Sequence, residues 1–552
     1  MIKKLGYATL IALTVGCGSE TTPDEETQNK GGKGDFTDKV VCNIVNKSGR
    51  ELDPTQLRDP IMGFGLRGGN CPTNLQELMD KFQETEGDTN CKGDVETYVI
   101  SETAQPSGTE EGSNYRLVIS KECGDLDRHK MMFSIFGVTP NVASPTDNPD
   151  DWNLSSGHAE MLAYDDTNGV YNYYQHSGGD KYEYFGDSDD FVKNEGGRCK
   201  NCHMAGTPVM LELDTPWLHW EGHEKVPGAG KIVSAHTDLL GSKASGSTLE
   251  SIIKDGNEEY QPRRLEKARL SGDIKTLLRP LFCKTEVNVD NFSDFKTSKV
   301  SRIPGDFWVD PILRGSSVPM GSDVYEQAIL DSEQIVQGVS GENNKDTVFR
   351  GAFLERSFSD KEYVNELKRA GVIDENFMKN VLLIDFTQPL FSDIRCGLLE
   401  FAPTNIDLLQ GLSSNNGATN NGAASNNGTG ASNNGGSNNG TTAPATPAAT
   451  LAEQVTAGFI ANLGEVEGNE AAIELKEKLE SGNVDRDVLT AFFDACKARP
   501  QAELMTDVLR ILSFHRNAAR SMEVFEFINK LPQDNLNETS PLTLDPTTCD
   551  LL

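Results

Sequence analysis

Three side chains within five residues offer metal and redox chemistry. The chain reads Cys199-Lys200-Asn201-Cys202-His203, which is the pattern Cys-x-x-Cys-His. Two thiols three positions apart on one helical turn reach the two vinyl groups at one edge of a porphyrin. The next residue then offers its imidazole to the iron. We therefore predict one covalently bound haem c, attached through Cys199 and Cys202, with His203 as the proximal iron ligand.

The same cysteines also allow a site without redox function. His219 and His223 extend the motif to C-x2-C-x16-H-x3-H, which is close to a zinc-finger spacing. The intervening residues 204–209 do not form the strand and helix of a finger, and Pro216-Trp217 interrupts the approach to His219. Zinc at this site, or a disulfide between the two cysteines, stays an alternative and would make the chain a surface interaction protein.

The sixth iron ligand decides between two haem functions. Met320, in Val318-Pro319-Met320-Gly321, and His236 are the distal candidates. A filled sixth position favours electron transfer, whereas an open one favours binding of NO, CO or peroxide, or an enzyme.

Aromatic and apolar side chains are expected around the porphyrin. We expect Trp217 and Trp220 to pack beside its edge, where large aromatic rings exclude water. If a sheet supplies the distal wall, the candidates that face the iron are Met131, Met132, Phe133 and Tyr173.

The surroundings of the motif resemble known haem proteins. The motif is followed by Met204, Glu212-Leu213, Pro216-Trp217 and Trp220, as in bacterial extracytoplasmic single-haem c-type cytochromes. The stretch Tyr-Phe-Gly-Asp-Ser-Asp-Asp-Phe before it loosely resembles cytochromes P460 and c′-beta. That resemblance covers roughly residues 130–220 and implies a β-sheet body with the haem motif late in the domain. No lysine is assigned to the porphyrin cross-link of P460.

The amino terminus predicts export. Lys3 and Lys4 precede a short apolar segment, and Leu13-Thr14-Val15-Gly16-Cys17 resembles the lipobox of bacterial lipoproteins. Thr14 departs from the usual apolar residue. The resemblance implies a lipid on Cys17 and an outer-membrane lipoprotein, or a periplasmic or cell-surface protein, of a Gram-negative bacterium.

Composition excludes two partner classes. A formal net charge of −33 repels phosphate backbones, so we expect no nucleic acid as a partner. After the first twenty residues no run of 18 apolar residues occurs, so we expect lipid anchoring rather than a transmembrane helix. The sequence names no redox partner, substrate or oligomeric state, and leaves open whether the chain is an enzyme.

Patterning predicts an α+β multidomain chain. It comprises a signal peptide (1–16), a flexible tether (17–35), a disulfide-stapled β-rich domain (36–190), a helical and loop-rich haem c region (191–283), a mixed α/β extension (284–412), a disordered linker (413–450) and a small α-helical carboxy-terminal unit (451–552). The linker carries five Asn-Asn-Gly triplets, which have nothing to bury.

Local patterns predict individual elements. Residues 159–164 and 170–175 flank residues 165–169 and are expected to form a hairpin, because Asn168-Gly169 tolerates positive φ at both turn positions. Helices are expected at 74–85, at 247–255 and 262–281, and at four places after the linker: 452–463, 469–479, 486–497 and 502–512.

Eight cysteines outside the motif and the lipobox form an even set, which favours disulfides in an oxidising compartment. We expect Cys42, Cys71, Cys91 and Cys123 to pair among themselves. The simplest remaining pairs are Cys283–Cys396 and Cys496–Cys549.

Overall fold

The protein combines a large mixed β-sheet with a helical body. The structure is a computed structural model that describes residues 40–67, 70–83, 95–101, 115–122, 127–142, 146, 148–153, 158–176, 178–192, 196–201, 203, 205–208, 233–283, 287–292, 300–331, 352–390, 392–410, 449–520 and 540–552. Among these residues, no helix is both long enough and apolar enough to cross a membrane.

Thirteen strands are labelled in chain order. They are β1 (Asn43–Asn46), β2 (Val95–Ser101), β3 (Tyr115–Lys121), β4 (Met131–Pro140), β5 (Trp152–Asn153), β6 (His158–Asp165), β7 (Val170–His176), β8 (Lys181–Asp187), β9 (Ser242–Lys243), β10 (Val287–Asn291), β11 (Arg302–Ile303), β12 (Val318–Pro319) and β13 (Ala352–Arg356).

The α-helices are labelled in the same way. They are α1 (Leu75–Gln83), α2 (Ser188–Val192), α3 (Thr237–Leu240), α4 (Gly246–Ser271), α5 (Ile274–Phe282), α6 (Ser322–Asp331), α7 (Phe358–Arg369), α8 (Glu375–Leu383), α9 (Asp393–Gly397), α10 (Leu451–Leu463), α11 (Glu470–Ser481), α12 (Asp487–Ala498) and α13 (Gln501–Arg520).

The large sheet has the strand order β1-β8-β7-β6-β4-β3-β2-β9, with β5 paired to β4. Its two edge strands, β1 and β9, run parallel to their neighbours, and the strands between them are antiparallel. The predicted hairpin is confirmed as β6–β7. In its turn Gly169 takes φ +63°, whereas Asn168 does not take positive φ. The Asp165 carboxylate accepts the Asn168 N–H at 2.9 Å instead.

Strand alternation gives the sheet two different faces. One face, the α1 face, carries Met131, Phe133, Met161 and Tyr174, and these pack with the buried residues of α1. The opposite face, here called the motif face, carries Leu162, Tyr164, Tyr173 and Phe185. The predicted helix at 74–85 is confirmed as α1, and it lies against the first of these faces.

Helix α4 supplies Tyr260 to the hydrophobic cluster of the motif face. Two separate helices were expected here, but α4 runs through Pro262 and ends at Gly272, which takes the left-handed conformation. The helix continues because buried residues on both sides of the proline, among them Ile253, Tyr260 and Leu265, pack against neighbouring elements. That packing outweighs the hydrogen bond lost at the proline.

The four predicted carboxy-terminal helices are present as α10 to α13. They do not form a core of their own, because Phe459, Phe492 and Leu509 belong to the same hydrophobic core as Leu277 and Phe377. The chain on the two sides of 411–448 also meets directly, since Gln410 Nε2 donates to the Ala449 carbonyl at 3.1 Å. The described segments on both sides of the predicted linker therefore belong to one helical body, formed by α5 to α13. Its own residues 411–448 lie outside the described part of the chain.

Three disulfides join cysteines in the described part of the chain. Cys283–Cys396 and Cys496–Cys549 confirm two predicted pairs. Cys42–Cys71 agrees with pairing inside the β-rich part. Cys91 and Cys123 lie outside the described residues.

Candidate functional site

The first half of the Cys-x-x-Cys-His motif lies beside strand β8. Residues Arg198–Asn201 form a short 3-10 helix. Just before it, the Gly197 N–H donates to the Phe185 carbonyl at 2.6 Å. A Cβ on Gly197 would lie 2.3 Å from the Phe185 ring, so only glycine allows this contact. The motif is thus held against the motif face of the sheet.

His203 is oriented by its own backbone and by a ring hydrogen bond. Its N–H donates to the Cys199 carbonyl at 3.0 Å, and its carbonyl accepts the Gly206 N–H at 2.8 Å. Its Nδ1 lies 2.8 Å from the Thr207 carbonyl oxygen. A carbonyl only accepts, so Nδ1 carries the proton of the neutral ring and the lone pair is on Nε2. A backbone carbonyl of this kind fixes the tautomer and orientation of a metal-ligating histidine.

Tyr173 packs on the imidazole of His203. The two ring centroids are 4.8 Å apart, with planes tilted by 51°. The Tyr173 hydroxyl donates to the Gly206 carbonyl at 3.2 Å, and the side chain is only 2% exposed. Strand β7 therefore contacts both the histidine ring and the turn that follows it.

The turn after His203 is locked at Gly206. This glycine has φ +76°, and a Cβ on it would lie 2.6 Å from the Ser188 Cβ atom at the start of α2. The next residue, Thr207, is fully buried, and its hydroxyl donates to Ser359 Oγ at 3.3 Å. The carbonyl that orients His203 is therefore held between α2 and α7.

Cys199 is buried in the aromatic cluster of the motif face, together with Tyr173, Phe185 and Phe191. An apolar, mostly dry surrounding suits a porphyrin edge. The described half of the motif thus fits haem c in three respects: a buried thiol, an imidazole in the required tautomer, and aromatic packing beside it.

The distal candidates lie elsewhere. His236 immediately precedes α3, whose Leu240 belongs to the core of the α1 face and accepts a hydrogen bond from Thr97. The sheet therefore separates His236 from His203. Met320 belongs to the core of the helical body and not to the aromatic cluster around Cys199. The structure brings neither side chain onto the motif face.

The expected distal wall is also divided. Met131 and Phe133 pack on the α1 face. Met132 alternates with them and lies on the motif face, as does Tyr173. Tyr173 contacts the ring of His203 itself, so with a haem held by His203 it would lie on the proximal side.

Several predicted site residues lie outside the described part of the chain. They are Cys17, Cys202, Trp217, Trp220, His219 and His223. Their roles remain predictions.

Two determinants of the site were not expected from the sequence. Thr207 acts through its backbone carbonyl, which leaves no side-chain signature. Gly206 gave a partial signal, because a glycine three residues after the histidine is typical of a tight turn.

One other group of possible metal ligands was found among the described residues, formed by Asp127, His129 and Glu259. The Lys130 ammonium lies 3.5 Å from Asp127 and 3.4 Å from Glu259, so this group already contains a cation. Hydrogen bonding from His129 lowers the pKa of Glu259, which is the behaviour of an ion-pair network.

Comparison with protein families, with curated proteins and with solved structures found no match to this chain.

Proposed function

We propose that this chain is a monohaem c-type cytochrome that transfers electrons at the cell envelope. The observation that supports this most directly is the hydrogen bond between His203 Nδ1 and the Thr207 carbonyl, within a Cys-x-x-Cys-His motif. A histidine that donates its Nδ1–H to a carbonyl presents the lone pair of Nε2, which is the state that an iron-ligating histidine requires.

In this proposal each residue of the motif has one role. Cys199 and Cys202 bind the haem covalently, and His203 is the proximal ligand. Trp217 and Trp220 pack at the porphyrin edge. When bound, the haem supplies the one-electron chemistry, and the protein supplies a fixed imidazole and an apolar surrounding.

The proposed location follows from the amino terminus. Cys17 carries a lipid after removal of residues 1–16, and residues 17–35 tether the folded part to the outer membrane. The three disulfides found among the described residues agree with an oxidising compartment. The β-rich part, the haem region and the helical body would then all be extracytoplasmic.

A second function is favoured by the position of the distal candidates. Because neither Met320 nor His236 lies on the motif face, the haem would have an open sixth position, unless residues outside the described part fill it. A five-coordinate haem of this kind binds NO, CO or peroxide, or is an enzyme. This is also what the loose resemblance to cytochromes P460 and c′-beta implies.

The test is an absorbance spectrum of the full chain made in a host that attaches c-type haem. A Soret band that survives acid–acetone extraction supports covalent haem, and its absence overturns both haem functions and leads to a zinc assay. In the reduced protein, an unchanged spectrum with CO supports electron transfer, and a large shift supports the open site.

A matched pair of variants tests His203. His176 has nearly the same surroundings on the opposite face, where it stacks on Tyr182 at 4.6 Å and bonds the Gly179 carbonyl at 3.0 Å. We expect His203→Asn to change the haem spectrum and His176→Asn to leave it unchanged. Equal spectra for the two variants would show that His203 does not ligate the iron.

A further inference from the structure

The helical body contains a cavity far in sequence from the haem motif. Its volume is about 660 Å³, and it lies between the loop after Pro311–Leu313, helices α7 and α8, and the start of α12. Its apolar surface includes the buried side chains of Met378, Leu489 and Phe493. This size is typical of a site for a small molecule.

The polar side chains of the cavity are mainly cationic. Five of its eighteen lining residues are basic, compared with 51 of 552 in the whole chain. The basic residues are Arg314, Lys361, Lys368, Lys379 and Arg486. The acidic ones are Glu362 and Glu375. A net positive cavity in a chain of charge −33 concentrates anions at this place.

The three lysines and the two arginines differ in their partners. Lys361 pairs with Glu355, and Lys368 and Lys379 both pair with Glu375. Arg314 and Arg486 are exposed, and in the described part of the chain neither has a carboxylate within 4.0 Å. An arginine presents a planar set of donors that matches a carboxylate or a phosphate.

Arg314 is also held in an unusual backbone conformation. Its φ is +52°, in the left-handed region that L-residues rarely adopt. Its N–H donates to the Pro311 carbonyl at 3.0 Å. A Cβ on the following Gly315 would lie 2.8 Å from the Phe493 ring, so the loop packs closely against this side chain, which lines the cavity. Backbone conformations of this kind are concentrated at functional sites.

Glu375 is a carboxylate that lines the cavity and is stabilised there by two lysines. Its carboxylate is 2.8 Å from Lys368 and 2.5 Å from Lys379. Hydrogen bonds from these two lysines lower the pKa of Glu375 to about 2. One carboxylate of the protein is therefore already stabilised at the edge of the cavity that Arg314 and Arg486 also line.

We propose that this cavity binds a small organic polyanion, a molecule with at least two carboxylate or phosphate groups on a compact body. Arg314 and Arg486 bind the anionic groups, and Met378, Leu489 and Phe493 contact the body of the ligand. The site does not depend on the haem, so the proposal of an anion site can be tested separately from the proposed function.

The test is calorimetric titration of the full chain at low ionic strength, with citrate and pyrophosphate as probes and glycerol as the uncharged control. We expect saturable binding of at least one probe, and the stronger one distinguishes carboxylate from phosphate recognition. In the double variant Arg314→Gln/Arg486→Gln binding should weaken about tenfold or more. Circular dichroism and the melting temperature verify that the variant is folded.

The matched control is Arg263→Gln/Arg302→Gln. Both residues are exposed and lie outside the cavity, and the loss of charge is the same. We expect this variant to bind within about twofold of the unmodified protein. Equal weakening of binding in the two double variants would mean that only the overall charge of the protein matters, and it would overturn the proposed site. The absence of saturable binding of both probes would overturn it as well.

A gain in affinity is the more demanding test, because a damaged fold does not produce it. Glu375→Gln removes the internal carboxylate and leaves Lys368 and Lys379 for the ligand, so binding should tighten by about threefold or more. Glu474→Gln is the control, since Glu474 is similarly exposed and pairs with a lysine four residues on, outside the cavity. No gain for Glu375→Gln, or the same gain for both variants, would contradict the proposal.

Discussion

Tyr173→Phe removes one hydroxyl beside the Cys-x-x-Cys-His motif and leaves the ring in place. The hydroxyl donates to the Gly206 carbonyl at 3.2 Å, and the ring packs 4.8 Å from that of His203. Gly206 belongs to the turn whose next carbonyl orients the imidazole. We therefore expect the variant to loosen the orientation of His203 without removing any proposed haem ligand.

The size of the effect follows from one neutral hydrogen bond. Loss of such a bond, with the buried acceptor left unsatisfied, costs about 1 kcal/mol of unfolding free energy. If all of it were lost in only one oxidation state, the midpoint potential of a one-electron couple would shift by about 40 mV. This figure is an upper bound for the variant, because part of the cost is shared by both states.

The chain offers a closely matched control in Tyr182→Phe. The Tyr182 hydroxyl donates to the Pro72 carbonyl at 3.1 Å, and its ring stacks on His176 at 4.6 Å. Both tyrosines are buried, but Tyr182 is on the α1 face of the sheet. The two variants should lose similar stability in denaturant titrations, whereas only Tyr173→Phe should shift the potential in a spectroelectrochemical titration.

Two results would refute this reasoning. An equal shift in both variants would mean that the haem responds to general loosening of the sheet. An unchanged potential in Tyr173→Phe, together with the expected loss of stability, would mean that the turn at Gly206 does not orient an iron ligand.

Three further predictions concern the fold. Burial raises the pKa of Asp59 from 3.8 to about 6, so the ionised carboxylate destabilises the native state as the pH rises through this range. Relative to Asp59→Asn, the unfolding free energy of the unmodified protein should fall by about 2 kcal/mol between about pH 4 and pH 7. Parallel pH profiles of the two proteins would contradict this. Replacing Cys496 and Cys549 by serine opens a loop of 53 residues and should lower the unfolding free energy by about 4 kcal/mol in chemical denaturation without reductant. An unchanged denaturation midpoint would contradict this. Proteolytic cleavage between Gln410 and Ala449 should leave two fragments that co-elute in size-exclusion chromatography until denaturant is added, since both contribute to one core; separation in buffer would show that the carboxy-terminal helices fold apart.

Elements with a strong local signal were predicted well. The β6–β7 hairpin, helix α1 and the four carboxy-terminal helices depend on turn residues and on apolar spacing within about one or two turns. The disulfides Cys283–Cys396 and Cys496–Cys549 were also predicted, because few pairings remained once the β-rich part was set aside. The continuation of α4 through Pro262 was not, because it depends on packing against distant elements.

The sequence by itself determined the motif Cys199, Cys202 and His203 and predicts its chemistry, since the spacing of two thiols and an imidazole is a property of five consecutive residues. Strand alternation also separates Met131 and Phe133 from Met132 along β4. Only the tertiary structure decided which face of the sheet carries the motif, and hence that Tyr173 contacts His203 while His236 lies across the sheet. It also brought the segments before and after 411–448 into one core. The cationic cavity is assembled from three stretches of the chain, 311–316, 358–379 and 486–493. These outcomes depend on contacts between residues far apart in the chain, which no local pattern of side chains encodes.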